Sequence, residues 1–224
     1  MTSAAILRVQ VQSALGSRWE AAFGTGKRSH SDAIHTAVGE IPRGTLTEIA
    51  GPASSGRTTF LYAILAAACA EQEFCALIDA EDSFDPASAA AAGVRLSQVL
   101  WVRCGGNVEH ALKAADLLAQ GGGFGVVALD LADSPAGSTR RIPLASWFRL
   151  RHAVENTRTA FVSIGQQIHA SSCSTLKIEL RRDRVLWRGH APATLLHGIG
   201  VTAQRLRDHR REQAAFTMGR MLGQ

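Results

Sequence analysis

The sequence predicts an α/β fold: a mostly parallel central sheet, helices on both of its faces, and antiparallel strands at the C-terminal end. Three observations carry this. From residue 46 to residue 164, short runs rich in Val, Ile, Leu and Phe alternate with helical stretches, the rhythm of βαβ units. Those runs are apolar at successive positions rather than at every second one, as strands covered on both faces are. After residue 175 the helices stop and strand-like runs follow one another, which favours hairpins.

The elements follow in order. Residues 1–30 are expected to form an N-terminal helix and linker, with Ile6, Val9, Leu15, Trp19 and Phe23 on one face of the helix and GTGKRSHS as the linker. The core is expected over residues 31–224. TLTEIA (45–50) reads as a strand, residues 58–70 as an Ala/Leu-rich helix, and FCALID (74–79) as a second strand. Pro86 suits the first turn of an Ala-rich helix over 86–92. VLWVR is the third strand; Asn107 caps a helix that Gly121, Gly122 and Gly123 end. FGVVALDL (124–131) is the most strand-like run in the chain. Pro143 opens a helix with Leu144, Trp147, Phe148, Leu150 and Val154 on its apolar side, and TAFVSI (159–164) is the next strand. Residues 176–180 and 185–187 flank Arg-Arg-Asp-Arg, which reads as the turn of an antiparallel hairpin. Residues 198–218 fit two templates: Thr202, Gln204 and Leu206 alternate as in a strand, while Ile199, Ala203 and Leu206 also share a helical face.

Composition narrows the function classes. With 46% hydrophobic and 19% charged residues, the chain has the make-up of a folded domain. No apolar run approaches the roughly 20 residues that span a bilayer, and the N-terminus lacks the pattern of an export signal, so a cytoplasmic protein without a membrane partner is expected. Cys69, Cys75, Cys104 and Cys173 lack the paired spacing of a zinc site and read as reduced core residues; His30, His35, His152, His169, His190, His197 and His209 show no ligand spacing either. No structural metal site is expected. Trp101, Trp147 and Trp187 lie in apolar patterns and read as core. The formal charge of +5 is unevenly placed: residues 181–224 hold nine basic against three acidic side chains, and residues 1–180 hold 15 against 16. That division excludes a uniformly basic polyanion coat and leaves one basic end.

The strongest chemical signal is GPASSGRT, residues 51–58, between an expected strand and an expected helix. Glycines there let successive backbone N–H groups face phosphate oxygens, and the helix N-terminus adds its positive dipole end. The nucleotide-binding residues are therefore expected to be Gly51, Pro52, Ala53, Ser54, Ser55, Gly56, Arg57, Thr58 and Thr59, with the Thr58 hydroxyl placed to hold Mg2+. Arg57 stands where such loops carry lysine. Only Lys27, Lys113 and Lys177 are lysines among the 24 basic residues, so an exchange toward arginine suits this chain. A planar guanidinium nevertheless differs in shape and donor geometry from a compact ammonium. Two readings stay open, a working nucleotide site and a vestigial loop that packs the strand–helix junction. Asp130 ends VVALD, where a carboxylate would orient Mg2+ through water. Glu81 follows LIDA at the carboxyl edge of the sheet, where a carboxylate can align an attacking water, and Gln166 follows FVSIG, where an amide could sense a γ-phosphate. Each also reads as an ordinary polar residue at a strand end or helix start.

GEIPRGTLTEIAGPASSGRTTF, LIDAEDSFDP and AADLLAQGGGFGVVALD, in that order, resemble the core of the bacterial RecA recombinases over residues 38–187. The resemblance implies a RecA-like P-loop NTPase core with ATP and Mg2+ as cofactors. It places Glu81 at the water-activating glutamate, Asp130 at the Walker B aspartate and Gln166 at the sensor glutamine. GVTAQRLRDHR and AAFTM resemble the terminal hairpin of that family, which favours strands there and makes Arg205 and Arg207 candidates for contact with a neighbouring subunit's nucleotide or with DNA. Two departures stand out. The segment after Gln166 is short and lacks the Gly-rich character of a recombinase DNA loop, and DSPAGSTRRIPLASWF replaces the other one. The family's C-terminal regulatory domain is not expected after Gln224.

SSGRT, DPASAAAAGV, VLWVRC, QGGGFGVVALDL and RRIPLASWFRLR are similar to the ImuA family, RecA-like accessory proteins of bacterial mutagenesis cassettes. That resemblance implies a role in DNA repair, in damage-induced (SOS) translesion synthesis. The implied partners are RecA or RecA-like subunits, an inactive Y-family polymerase-like protein and an error-prone C-family polymerase. Arg140 and Arg141 become candidates for a DNA or partner contact. The leading expectation is an accessory protein with an altered nucleotide site, weak ATP turnover at most and no strand exchange. The alternative is an active DNA-dependent ATPase or recombinase paralogue.

Overall fold

The apolar runs read from the sequence become a sheet because each needs hydrogen-bonded neighbours at its edges and cover on its faces. The computed structural model describes residues 32–36, 39–190, 193–207 and 210–219; the expected N-terminal helix and linker lie outside the described residues. A small antiparallel pair, β1 (Ala33–Thr36) and β2 (Gly39–Pro42), precedes the main sheet. Five parallel strands follow: β3 (Leu46–Ala50), β4 (Cys75–Asp79), β6 (Val126–Asp130) and β7 (Ala160–Gly165), each buried throughout, and the half-buried edge strand β5 (Val99–Arg103). Three long strands close the chain: β8 (Leu176–His190), β9 (Ala193–Arg207) and β10 (Arg210–Gly219). They form one eight-stranded sheet in the order β10-β9-β8-β3-β7-β6-β4-β5. Pairing is parallel from β8 through β5 and antiparallel among β8, β9 and β10, so the expected architecture is the observed one.

Alternate residues of each parallel strand enter two separate cores. Ile49, Leu77, Ala128 and Val162 pack under α1 (Arg57–Ala70) against its Phe60, Leu61, Ile64 and Leu65, together with Ile34 and Ile41 of the small hairpin. Ile78, Val127, Leu129 and Phe161 face the other way, onto Ala111, Ala115 and Leu118 of one helix and Trp147, Leu150 and Val154 of another. In chain order the remaining helices are α2 (Pro86–Ala91), α3 (Val108–Gly121), the single turn α4 (Ala136–Thr139), and α5 (Leu144–Val154). Local chemistry sets their starts. The Asp85 carboxylate accepts from the Ala87 and Ser88 N–H groups ahead of α2, and Asn107 accepts from His110 N at 3.0 Å ahead of α3. At the far edge Arg43 is buried between Glu71 and Glu73, at 3.1 and 2.9 Å, and donates to the Arg158 carbonyl. No helix among the described residues is long and apolar enough to cross a membrane.

Two expectations fail in the C-terminal strands. Arg-Arg-Asp-Arg is not a turn: β8 runs straight through it, with Arg181 opposite Thr202 and Arg184 opposite Gly200. A register shift between Arg182 and Arg184 absorbs the extra residue as a bulge, and the ladder to β9 is kept on either side. Trp187 is consequently not core. It lies on the part of the β8–β9 ribbon beyond the sheet body and is 62% exposed. The helix-or-hairpin alternative over residues 198–218 resolves to strands, with Arg207 opposite Arg210 and Gly198 opposite Gly219.

Candidate nucleotide site

Four parallel strands end side by side: Ala50 pairs with Gly165, Asp79 with Asp130, and Asp130 with Ile164. The segments that leave them converge on one crevice at the carboxyl edge of the sheet, the place where open α/β sheets take ligands. After β3 comes the glycine-rich loop. Gly56 caps α1 at φ 92°, and a Cβ there would come within 2.5 Å of the Met218 sulfur of β10, so only glycine fits. A Cβ on Gly51 would meet the Leu180 carbonyl and the Ser55 hydroxyl, both at 2.5 Å. Inside the loop the Ser55 Oγ is buried without a hydrogen-bond partner among the described residues. A buried hydroxyl left this way is costly unless something polar meets it. Pro52, Ala53, Ser54, Thr58 and Thr59 are exposed on the open side.

Arg57 leaves the loop and turns inward. Its Nη1 donates to the Ala132 carbonyl at 3.2 Å, and only 6% of the residue is exposed. Burial lowers its pKa, while the negative charges of Asp133 and Asp130 oppose that shift. Gln166, leaving β7, donates through Nε2 to the same Ala132 oxygen at 3.2 Å. One backbone carbonyl after β6 thus receives both the loop cation and the expected sensor amide. Asp130 accepts from Ala132 N at 2.9 Å. Burial is the main reason its carboxyl is pushed up to about 6, with Asp79 and Asp133 adding to the rise and Arg57 opposing it.

Glu81 accepts from the Ser134 hydroxyl at 2.8 Å, which joins the segment after β4 to that after β6. Asp79 holds the intervening turn: its carboxylate accepts from Ser83 N at 3.1 Å, Phe84 N at 2.9 Å and the Trp101 indole at 3.1 Å. The structure therefore brings Arg57, Asp130 and Gln166 together directly and attaches Glu81 through Ser134. It keeps the arginines of the tail apart from them. Arg205 donates to the Glu40 carbonyl at 2.9 Å and lies 3.8 Å from Glu212, which ties it to the small hairpin of its own chain. Arg207 pairs with Leu176 and Arg210 along its backbone, and its side chain is outside the described residues. Arg140 and Arg141 are exposed, with Arg140 reaching the Gln167 amide oxygen at 3.5 Å.

Sequence reasoning missed Ala132, Ser134, Asp79 and Glu48. Glu48, on β3, is 2% exposed, and burial raises its pKa. It accepts from the N–H of His169, from Ala170 N at 2.9 Å and from the Ser174 hydroxyl at 3.4 Å. The segment after Gln166 is thereby folded down, with a short 3-10 turn (Ser171–Cys173) and with Ala170 and Cys173 buried. A glutamate inside an otherwise apolar strand was the available signal for this clamp.

Comparison with known proteins agrees with the fold. The RecA N-terminal domain family matches residues 14–182. Protein RecA of Deinococcus radiodurans is 37% identical over 143 residues, which cover 58% of this chain and 39% of that protein. Protein RecA of Chloroflexus aurantiacus is 33% identical over 147 residues, covering 59% and 42%. Protein RecA of Rhodospirillum rubrum is 33% identical over 147 residues, covering 59% and 40%. The match thus spans about two fifths of the length of these relatives. With the family match over most of its length and a glycine-rich loop at the carboxyl edge of a parallel sheet, the chain belongs to the RecA N-terminal domain family.

Proposed function

We propose that this protein is a cytoplasmic, nucleotide-binding accessory member of the RecA family, acting in DNA repair through contacts with other proteins rather than through strand exchange. One observation carries the reading: the segment after Gln166, where a recombinase needs a free DNA-holding loop, is folded onto the buried Glu48 carboxylate. By the ImuA resemblance, the setting is damage-induced translesion synthesis. The partners are then RecA or RecA-like subunits, an inactive Y-family polymerase-like protein and an error-prone C-family polymerase. A joint-molecule assay with RecA as the positive control, run beside co-precipitation with these partners, tests it. Capture of a partner without strand exchange is the expected result. Strand exchange, or capture of none of them, would sink the reading.

The loop fits a nucleoside triphosphate with Mg2+. It offers a glycine cradle, a buried Ser55 hydroxyl without a partner and the exposed Thr58 hydroxyl at the first turn of α1. Asp130 would share the cation with Thr58 through water. When bound, Mg2+ would neutralise phosphate charge. A second reading, an active DNA-dependent ATPase, is favoured by Glu81, Asp130 and Gln166 standing at the ends of β4, β6 and β7. Against it, Arg57 and Gln166 are both committed to the Ala132 carbonyl.

A further inference from the structure

We propose that the β8–β9 ribbon closes the nucleotide site from within the same chain, with Trp187 carrying the base and Arg182 facing the phosphates. This rests on the loop being a nucleotide site, as proposed above. A cleft of about 480 Å³ separates the two walls, with Ser54, Gly56 and Thr58 on one side and Arg182, Trp187 and Leu196 on the other. That volume suits a nucleotide-sized ligand. The walls differ in chemistry. The loop side presents backbone N–H groups and hydroxyls, whereas the ribbon side presents an indole 62% exposed and a leucine 54% exposed. An amphiphile with an anionic end and a flat aromatic end satisfies both.

The ribbon is shaped to present this wall. Trp187 stands directly opposite Leu196, and the ladder changes register between Leu186 and Trp187. Such irregularities re-aim a side chain, here onto the loop side where Trp187 lines the cleft. Arg57 also lines the cleft, but its Nη1 is held by the Ala132 carbonyl and the residue is largely buried, so the ribbon supplies the exposed guanidinium. Arg182 is exposed, lines the cleft and makes no ion pair among the described residues. A guanidinium in that place can grip phosphate oxygens with two parallel N–H groups.

Titration calorimetry in Mg2+ with two probes, ADP and inorganic tripolyphosphate, separates base from phosphate recognition. Base–aromatic stacking predicts that Trp187→Ala weakens ADP binding about 5- to 140-fold and leaves tripolyphosphate unchanged. Trp187→Phe should retain most of the ADP affinity, and Arg182→Ala should weaken both probes. Trp187 is exposed, so folding survives its loss. Unchanged ADP binding in Trp187→Ala overturns the assignment, as does an equal loss for both probes. If that variant loses a protein partner and keeps ADP, the ribbon is a docking surface instead. If the unaltered protein binds neither probe, the nucleotide reading falls too.

Discussion

Replacing Asp130 by Asn should stabilise the metal-free protein at neutral pH. Asp130 is 9% exposed, and its carboxyl titrates near 6 in the fold instead of at the ordinary 3.8, chiefly because burial penalises the charge. Since the folded state holds the proton more tightly, stability is fully present below the unfolded value and is lost as pH rises from about 4 toward 6. A displacement of roughly two pKa units corresponds to about 3 kcal/mol by pH 7, and to less than about 1 kcal/mol at pH 4. An asparagine keeps an oxygen for the Ala132 N–H and carries no charge to bury. The assay is urea unfolding in EDTA at a series of pH values. The variant should gain on the parent protein between pH 4 and pH 7, and it should lose Mg2+-dependent nucleotide binding. A difference that does not change with pH, or a variant less stable at pH 7, would refute the reasoning.

Other perturbations probe separate parts of the molecule. Arg43→Ala strands the largely buried Glu73 carboxylate and should cost about 3–5 kcal/mol in urea unfolding, whereas removing the solvent-facing pair of Arg103 with Asp82 should cost less than about 1 kcal/mol. Gly56→Ala puts a Cβ at positive φ against Met218; a loss of about 1–3 kcal/mol is expected, with weaker nucleotide binding by calorimetry. Glu48→Ala leaves the Ala170 N–H unsatisfied, should cost about 1–3 kcal/mol, and should speed hydrogen exchange at residues 169–174. Burial raises the Glu48 pKa, so this group's contribution falls as pH climbs above the ordinary glutamate range; Glu48→Gln should abolish that fall in pH-dependent unfolding.

The parallel body was legible because strands covered on both faces are apolar at successive positions, as CALID and VVALD are up to their terminal aspartates and AFVSIG is apart from Ser163. The glycine-rich loop was legible for the same local reason, since its place between a strand and a helix is written in sequence. Arg-Arg-Asp-Arg misled because its composition is that of a turn, while its conformation is set by the β9 partner opposite it. Trp187 misled with it, once the ribbon carried that residue past the sheet body. The meeting of Arg57 and Gln166 could not be read, because their common acceptor is the backbone oxygen of an alanine. Glu48 was visible as a charge in a buried strand, but its partners lie more than a hundred residues away.

In the proposed function the family's phosphate loop is kept while its grip on single-stranded DNA is not. ATP turnover measured with and without single-stranded DNA tests it most directly. A low rate that DNA leaves unchanged is expected. Robust stimulation by DNA, abolished by Glu81→Ala, would contradict it and establish the active ATPase.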